Sequence, residues 1–97
     1  MAPATKEEKL KWLKELVYSM YDFRTKYTAY IKAKEKKENT ETLETEYNAA
    51  DEKVATVEEA GEGLGVDISN LNRQIIDLTK ENRNPEEIYS ILREKIE

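Results

Sequence analysis

The side chains that most often perform catalysis or bind metal ions are missing from this sequence. It contains no cysteine and no histidine, which excludes disulfides, thiolate nucleophiles, the usual zinc sites and the commonest general base. Carboxylates are numerous, but neighbours such as Glu58 and Glu59 would diverge by about 100° on a helix and could not share a proton or a metal ion. The sequence has no calcium-binding loop of the Asp-x-Asp-x-Asp-Gly type. We therefore expect no enzyme activity, no metal and no cofactor.

One stretch combines basic and aromatic residues and could hold an anionic ligand. It contains Arg24, Lys26, Tyr27, Tyr30 and Lys32. Tyrosine rings stack on bases and basic groups bind phosphates, so this pattern is typical of a site for a nucleotide or another phosphate compound. The competing interpretation, which we favour, assigns the two tyrosines to an apolar helix face and the basic residues to its solvated edges. The net charge of -5 argues against duplex nucleic acid as a partner.

The basic-aromatic stretch falls within a long predicted helix, residues 6–38. Thr5 and Glu8 form a capping box at its start. Apolar residues then recur at spacings of three and four between Leu10 and Ile31. The resulting stripe is wide enough to contact two neighbouring elements rather than one.

A turn at about 38–41 should follow, because residues 32–42 contain no large apolar side chain and include the good N-cap residues Asn39 and Thr40. One uninterrupted helix is the alternative, since no glycine or proline lies there. The apolar seam changes phase across this segment, which favours the turn. We predict three further helices, at 41–61, 67–82 and 85–96.

Three glycines, Gly61, Gly63 and Gly65, end the second predicted helix, because together they would cost about 2–3 kcal/mol in a helix interior. They lack the spacing of a phosphate-binding loop. The alternative is a long kinked helix, because a single heptad register of apolar residues runs from Leu43 to Ile96.

The composition predicts one all-α domain over residues 1–97. Charged residues make up 38% of the chain, and glycine and proline are few. We expect a helical hairpin extended by the two shorter helices to a small three- or four-helix bundle, with more than two-thirds helix, no strand and coiled-coil-like self-association. No apolar run approaches the ~18–20 residues of a membrane span, and no signal peptide is recognised, so we expect a cytoplasmic protein without membrane contact.

The aromatic residues indicate a function in binding. Six tyrosines and one tryptophan accompany a single phenylalanine, and amphipathic aromatic side chains are enriched at protein interfaces. We predict a non-catalytic interaction protein that forms homo-oligomers through Tyr18, Tyr21 and Val54 and that binds or blocks a macromolecular protein partner. In size and class it is similar to small accessory or inhibitor proteins of bacteriophages, an analogy that carries no shared motif. The alternative function is a small-ligand binder at the basic-aromatic stretch.

Overall fold

Four α-helices account for about four-fifths of residues 4–96, the part of the chain that this computed structural model describes, and that part contains no strand. They are α1 (Lys6–Glu35), α2 (Glu41–Glu62), α3 (Ile68–Lys80) and α4 (Pro85–Arg93). The predicted all-α class is confirmed. The predicted helix ends differ from the observed ones by at most three residues.

Polar side chains begin the helices where the sequence predicts them. At Thr5, Asp67 and Asn84 the side-chain oxygen accepts a hydrogen bond from the backbone N–H three residues later, over 2.9–3.1 Å. At the start of α2 the side-chain oxygen of Asn39 accepts from the N–H of Glu41 at 3.0 Å. Each of these bonds satisfies a backbone donor that has no partner within its own helix, and so it stabilises the first turn of that helix.

Three helices end two or three residues earlier than predicted. Helix α4 ends at Arg93 because Lys95 and Ile96 bond to carbonyls three residues back, not four. Helices α1 and α3 end because a residue beyond each adopts a left-handed conformation. Lys37 and Asn82 have φ values of 60° and 64°, which a right-handed helix cannot contain. In both turns the next residue donates its N–H to the carbonyl five residues earlier, over 3.0 Å after Lys37 and 3.3 Å after Asn82. This is the bonding pattern of a Schellman ending, and it closes α1 and α3.

The core lies in one half of the hairpin that α1 and α2 form. There α3 and α4 pack against the beginning of α1 and the end of α2. The buried core residues come from all four helices and the segment that follows α4, namely Trp12, Leu13, Leu16, Val17, Val57, Leu71, Ile75, Ile88, Leu92 and Ile96. The other half, residues 23–50, is called the distal half here. It consists mainly of the two long helices, and the molecule is accordingly elongated, 52 × 27 × 18 Å.

Trp12 joins the two long helices through a contact that requires a glycine. Its indole Nε1 donates a buried hydrogen bond of 2.6 Å to the carbonyl oxygen of Val57. The indole ring lies over Gly61, where an added Cβ would overlap ring atoms and lie 2.7 Å from Nε1. Helix α2 then ends at Glu62, and Gly65 has a φ of 74°. The glycines therefore end the helix, as predicted, and one of them also makes room for the indole.

Candidate binding surfaces

Aromatic rings fill the distal half of the hairpin, where α3 and α4 do not supply a core. We call this group the aromatic cluster; it contains Phe23, Tyr27, Tyr30 and Tyr47. The rings of Tyr30 and Tyr47 stack nearly parallel, with centroids 4.8 Å apart and planes inclined by 8°. Tyr27 lies 5.2 Å from Tyr47 and 5.8 Å from Phe23. These contacts hold α1 to α2, and the cluster remains partly open to solvent.

An apolar depression opens where the end of α3 meets the aromatic cluster. We call it the apolar notch; it has a volume of about 280 Å³. Its lining residues come from α1, α2 and α3, namely Met20, Phe23, Arg24, Tyr27, Asp51, Val54, Ile75, Ile76 and Thr79. Tyr27 and Ile76 are 43% and 40% exposed, whereas Val54 is buried. The notch thus presents large apolar side chains to solvent between one basic residue and one acidic residue.

A second depression, on the opposite side of Arg24, is lined by cations. We call it the basic groove; it has a volume of about 450 Å³. Its lining residues come from α1, the end of α3 and the turn before α4, namely Tyr21, Arg24, Thr25, Thr28, Ala29, Lys32, Thr79, Asn82 and Arg83. Arg24 and Thr79 line both depressions and separate them. Three cations on two segments of the chain therefore share one concave surface.

The five residues of the predicted ligand stretch do not form one site. Arg24 and Lys32 line the basic groove. Tyr27 and Tyr30 belong to the aromatic cluster instead and contact α2. Lys26 forms an ion pair of 3.0 Å with Asp22, one turn earlier on α1. The sequence stretch thus divides among three surroundings, because a helix turns successive side chains about 100° apart.

Arg83 is the groove cation that the sequence did not indicate. It lies in the turn between α3 and α4 and is brought beside α1 only by the packing of those two helices. Its guanidinium lies 3.5 Å from Glu81 and 3.6 Å from Glu87. The local signal, Asn84 followed by Pro85, predicts the start of α4 but not the element that the turn faces.

The three predicted interface residues lie on three separate surfaces. Tyr18 is 38% exposed, and the ammonium of Lys14 lies 5.9 Å from its ring centroid. Tyr21 packs against the core and lines the basic groove. Val54 is buried at the apolar notch. The assignment of these residues to an interface stays a prediction, and each of the three surfaces can be tested for it separately.

Tyr47 is the titratable group whose environment is most altered. Burial within the aromatic cluster raises the pKa of its phenol above the usual value of 10.0, and the nearby carboxylates Glu44 and Asp51 raise it further. Both effects disfavour a phenolate, the first by desolvation and the second by repulsion. The phenol therefore stays neutral at physiological pH and functions as a stacking ring.

Neither a metal site nor a membrane span is found in residues 4–96. No three potential metal-ligating side chains come together there, and none of the helices combines the length and apolarity needed to cross a bilayer. Comparison with protein-family models, curated proteins and solved structures finds no match to this chain.

Proposed function

We propose that this chain is a non-catalytic interaction protein that self-associates through the apolar notch. The observation that carries the proposal is the placement of Tyr27 and Ile76. Three large apolar side chains of the described residues are more than a third exposed, and two of them, from α1 and α3, flank this one depression. In this proposal the protein acts by contact with other macromolecules, and the first of these is a second copy of itself.

The notch continues a groove that one helix already occupies. Helix α3 packs between α1 and α2 and buries Ile75 almost completely. Beyond the end of α3 the same two helices carry the aromatic cluster, with no further helix of the described residues over it. Covering apolar surface contributes about 25 cal/mol per Å² removed from water. Tyr27 and Ile76, which share one depression, would therefore both be stabilised by a covering partner.

The charges around the notch fit a second copy of the chain. A two-fold contact uses the same patch on both subunits, so the patch must complement itself. Arg24 of α1 and Asp51 of α2 supply both signs of charge around an apolar centre. A surface built for a strongly acidic or a strongly basic partner would carry one sign only.

The test compares two exposed positions on different surfaces. Light scattering after size exclusion, over micromolar to near-millimolar concentrations, should report a dimer or a higher assembly for the unmodified chain. Ile76→Glu places a charge at the notch and should give a monomer. Tyr18→Glu, whose side chain is similarly exposed but lies away from the notch, should leave the assembly intact.

Circular dichroism of both variants should show unchanged helix content, because both side chains are surface-exposed. A monomer at all concentrations of the unmodified chain would overturn self-association. Dissociation by Tyr18→Glu and not by Ile76→Glu would move the interface to the surface around Tyr18.

A further inference from the structure

We propose that the basic groove binds a small anion that carries a chain of two or three phosphate groups, such as a nucleoside di- or triphosphate. The groove adjoins the notch proposed for self-association and shares Arg24 and Thr79 with it, but this inference rests on the groove residues alone and does not depend on that contact. The proposed site is assembled from α1 and the turn between α3 and α4, and so it differs from the basic-aromatic stretch of α1 that the sequence predicted.

The number and spread of the cations favour a chain of phosphates over a single phosphate. Arg24 and Lys32 lie eight residues apart on α1, which corresponds to about 12 Å along the helix. Arg83 approaches from the α3–α4 turn. A chain of phosphates carries more negatively charged oxygens than a single phosphate and can therefore accept from all three cations at once. The groove volume, about 450 Å³, lies within the range of about 300–1,000 Å³ typical of small-ligand sites.

Two of the three groove cations have no carboxylate partner among the described residues, and the third is paired only loosely. No carboxylate of residues 4–96 lies within ion-pair distance of Arg24 or Lys32. The contacts of Arg83 with Glu81 and Glu87, at 3.5 and 3.6 Å, are longer than hydrogen bonds. Its Nε is the atom next to Glu81, and it is shielded from solvent without a hydrogen bond to the described chain. The side chain as a whole is 41% exposed, so an anion in the groove would give this loosely paired guanidinium a stronger acceptor.

Neutral groups complete the site. The hydroxyls of Thr25 and Thr79 donate to carbonyls of their own helices, over 3.0 and 2.7 Å, which leaves their oxygens as acceptors only. The hydroxyl of Thr28 and the amide of Asn82 make no hydrogen bond to another described side chain or carbonyl, so both can donate to phosphate oxygens. Tyr21 adds a ring at the groove wall, on which a base can stack.

Isothermal titration with sodium tripolyphosphate and with ATP tests the proposal. We expect saturable binding of both, weakened by added salt because the contacts are charged. Lys32→Gln and Arg83→Gln should each weaken binding about tenfold, the usual effect of losing one charge-assisted hydrogen bond. The matched control is Lys26→Gln, on the same helix but paired with Asp22 away from the groove, and it should leave binding unchanged.

The result also identifies which part of the ligand is recognised. Tighter binding of ATP than of tripolyphosphate would show that Tyr21 contacts the base, and equal binding would show that the phosphate chain alone is recognised; both support the site. No binding of either probe at millimolar concentration would overturn the proposal. An equal loss in Lys26→Gln and Lys32→Gln would also overturn it, because only the linear stretch contains both. Lys32 is exposed, so its replacement should not disturb the fold, and circular dichroism checks this.

Discussion

Replacing Gly61 by alanine should destabilise the protein, although helix propensity alone predicts the opposite. Gly61 lies in the last turn of α2, where alanine would be favoured over glycine by at most about 1 kcal/mol. The added Cβ would overlap Cζ2 and Cε2 of Trp12 and lie 2.7 Å from its Nε1. These atoms belong to a ring in the core, which cannot move aside without displacing other core residues.

The steric cost of the added methyl group outweighs the gain in helix propensity. Forcing an extra methyl group into a packed site costs about 1–3 kcal/mol. A displaced indole would also lose its 2.6 Å bond to Val57, and a buried donor left unsatisfied costs about 1–3 kcal/mol. Less the propensity gain, we expect a net loss of about 2 kcal/mol in the free energy of unfolding. For a domain of this size that corresponds to a fall in Tm of about 8–16 °C.

The other two glycines supply controls for the thermal melts. A Cβ on Gly63 or Gly65 would meet no atom within 4 Å. Gly63 has a φ of -82°, so Gly63→Ala should leave stability unchanged or raise it by about 0.4–1 kcal/mol. Gly65 has a φ of 74°, so Gly65→Ala should cost about 1–2 kcal/mol from backbone strain alone.

A double-mutant cycle assigns the effect of Gly61→Ala to the indole. Phenylalanine at position 12 lacks the second ring, so in a Trp12→Phe background Gly61→Ala should cost much less than in the unmodified chain. Gly61→Ala with an unchanged or higher Tm would refute the reasoning. The same cost in both backgrounds would show that the indole is not the cause.

Two further predictions concern the termini of helices and the aromatic cluster. Asn84→Ala removes the acceptor of the Glu87 N–H and should cost about 1 kcal/mol in thermal unfolding, whereas Asn48→Ala, at an exposed position inside α2, should not destabilise. The raised pKa of Tyr47 means that its contribution to stability is complete below pH 10 and is lost as the pH rises through the native pKa, because the unfolded chain releases that proton first. Tyr47→Phe should therefore reduce the loss of stability above pH 10, and in an absorbance titration near 295 nm the variant should lack a phenol that ionises above pH 10; a loss of stability above pH 10 equal to that of the unmodified chain would contradict this.

Local signals account for the parts of the fold that were predicted. The caps at Thr5 and Asn84 bond to residues three positions away, so the residues that decide them are visible together in the sequence. The left-handed residue Lys37 was missed for a related reason. Lysine has no preference for that conformation, and only the geometry of the completed turn shows that α1 stops at Glu35.

Contacts between distant residues account for what could not be predicted. From the sequence, Gly61 was expected only to destabilise a helix interior. Its role in making room for Trp12 was missed, because Trp12 is on another helix and the sequence does not show that the two residues meet. Arg83 was missed for the same reason, since its proximity to Lys32 depends on how α3 and α4 are rotated against α1. The sequence places side chains on helix faces, but the relative rotation of those faces is set by core packing.

The unequal lengths of the helices explain why the exposed surfaces are aromatic. Helix α1 has 30 residues and spans about 45 Å, whereas α3 has 13 and spans about 20 Å. The shorter helices can therefore bury only one half of the hairpin. In the distal half a leucine seam would face water on one side, whereas a tyrosine ring can pack between the two helices and its hydroxyl can still form hydrogen bonds. Replacing Tyr30 and Tyr47 by leucine should therefore preserve the hairpin but increase nonspecific aggregation. A variant that keeps its helix content and aggregates would show that the tyrosines are needed for contact with water and not for packing the two helices together.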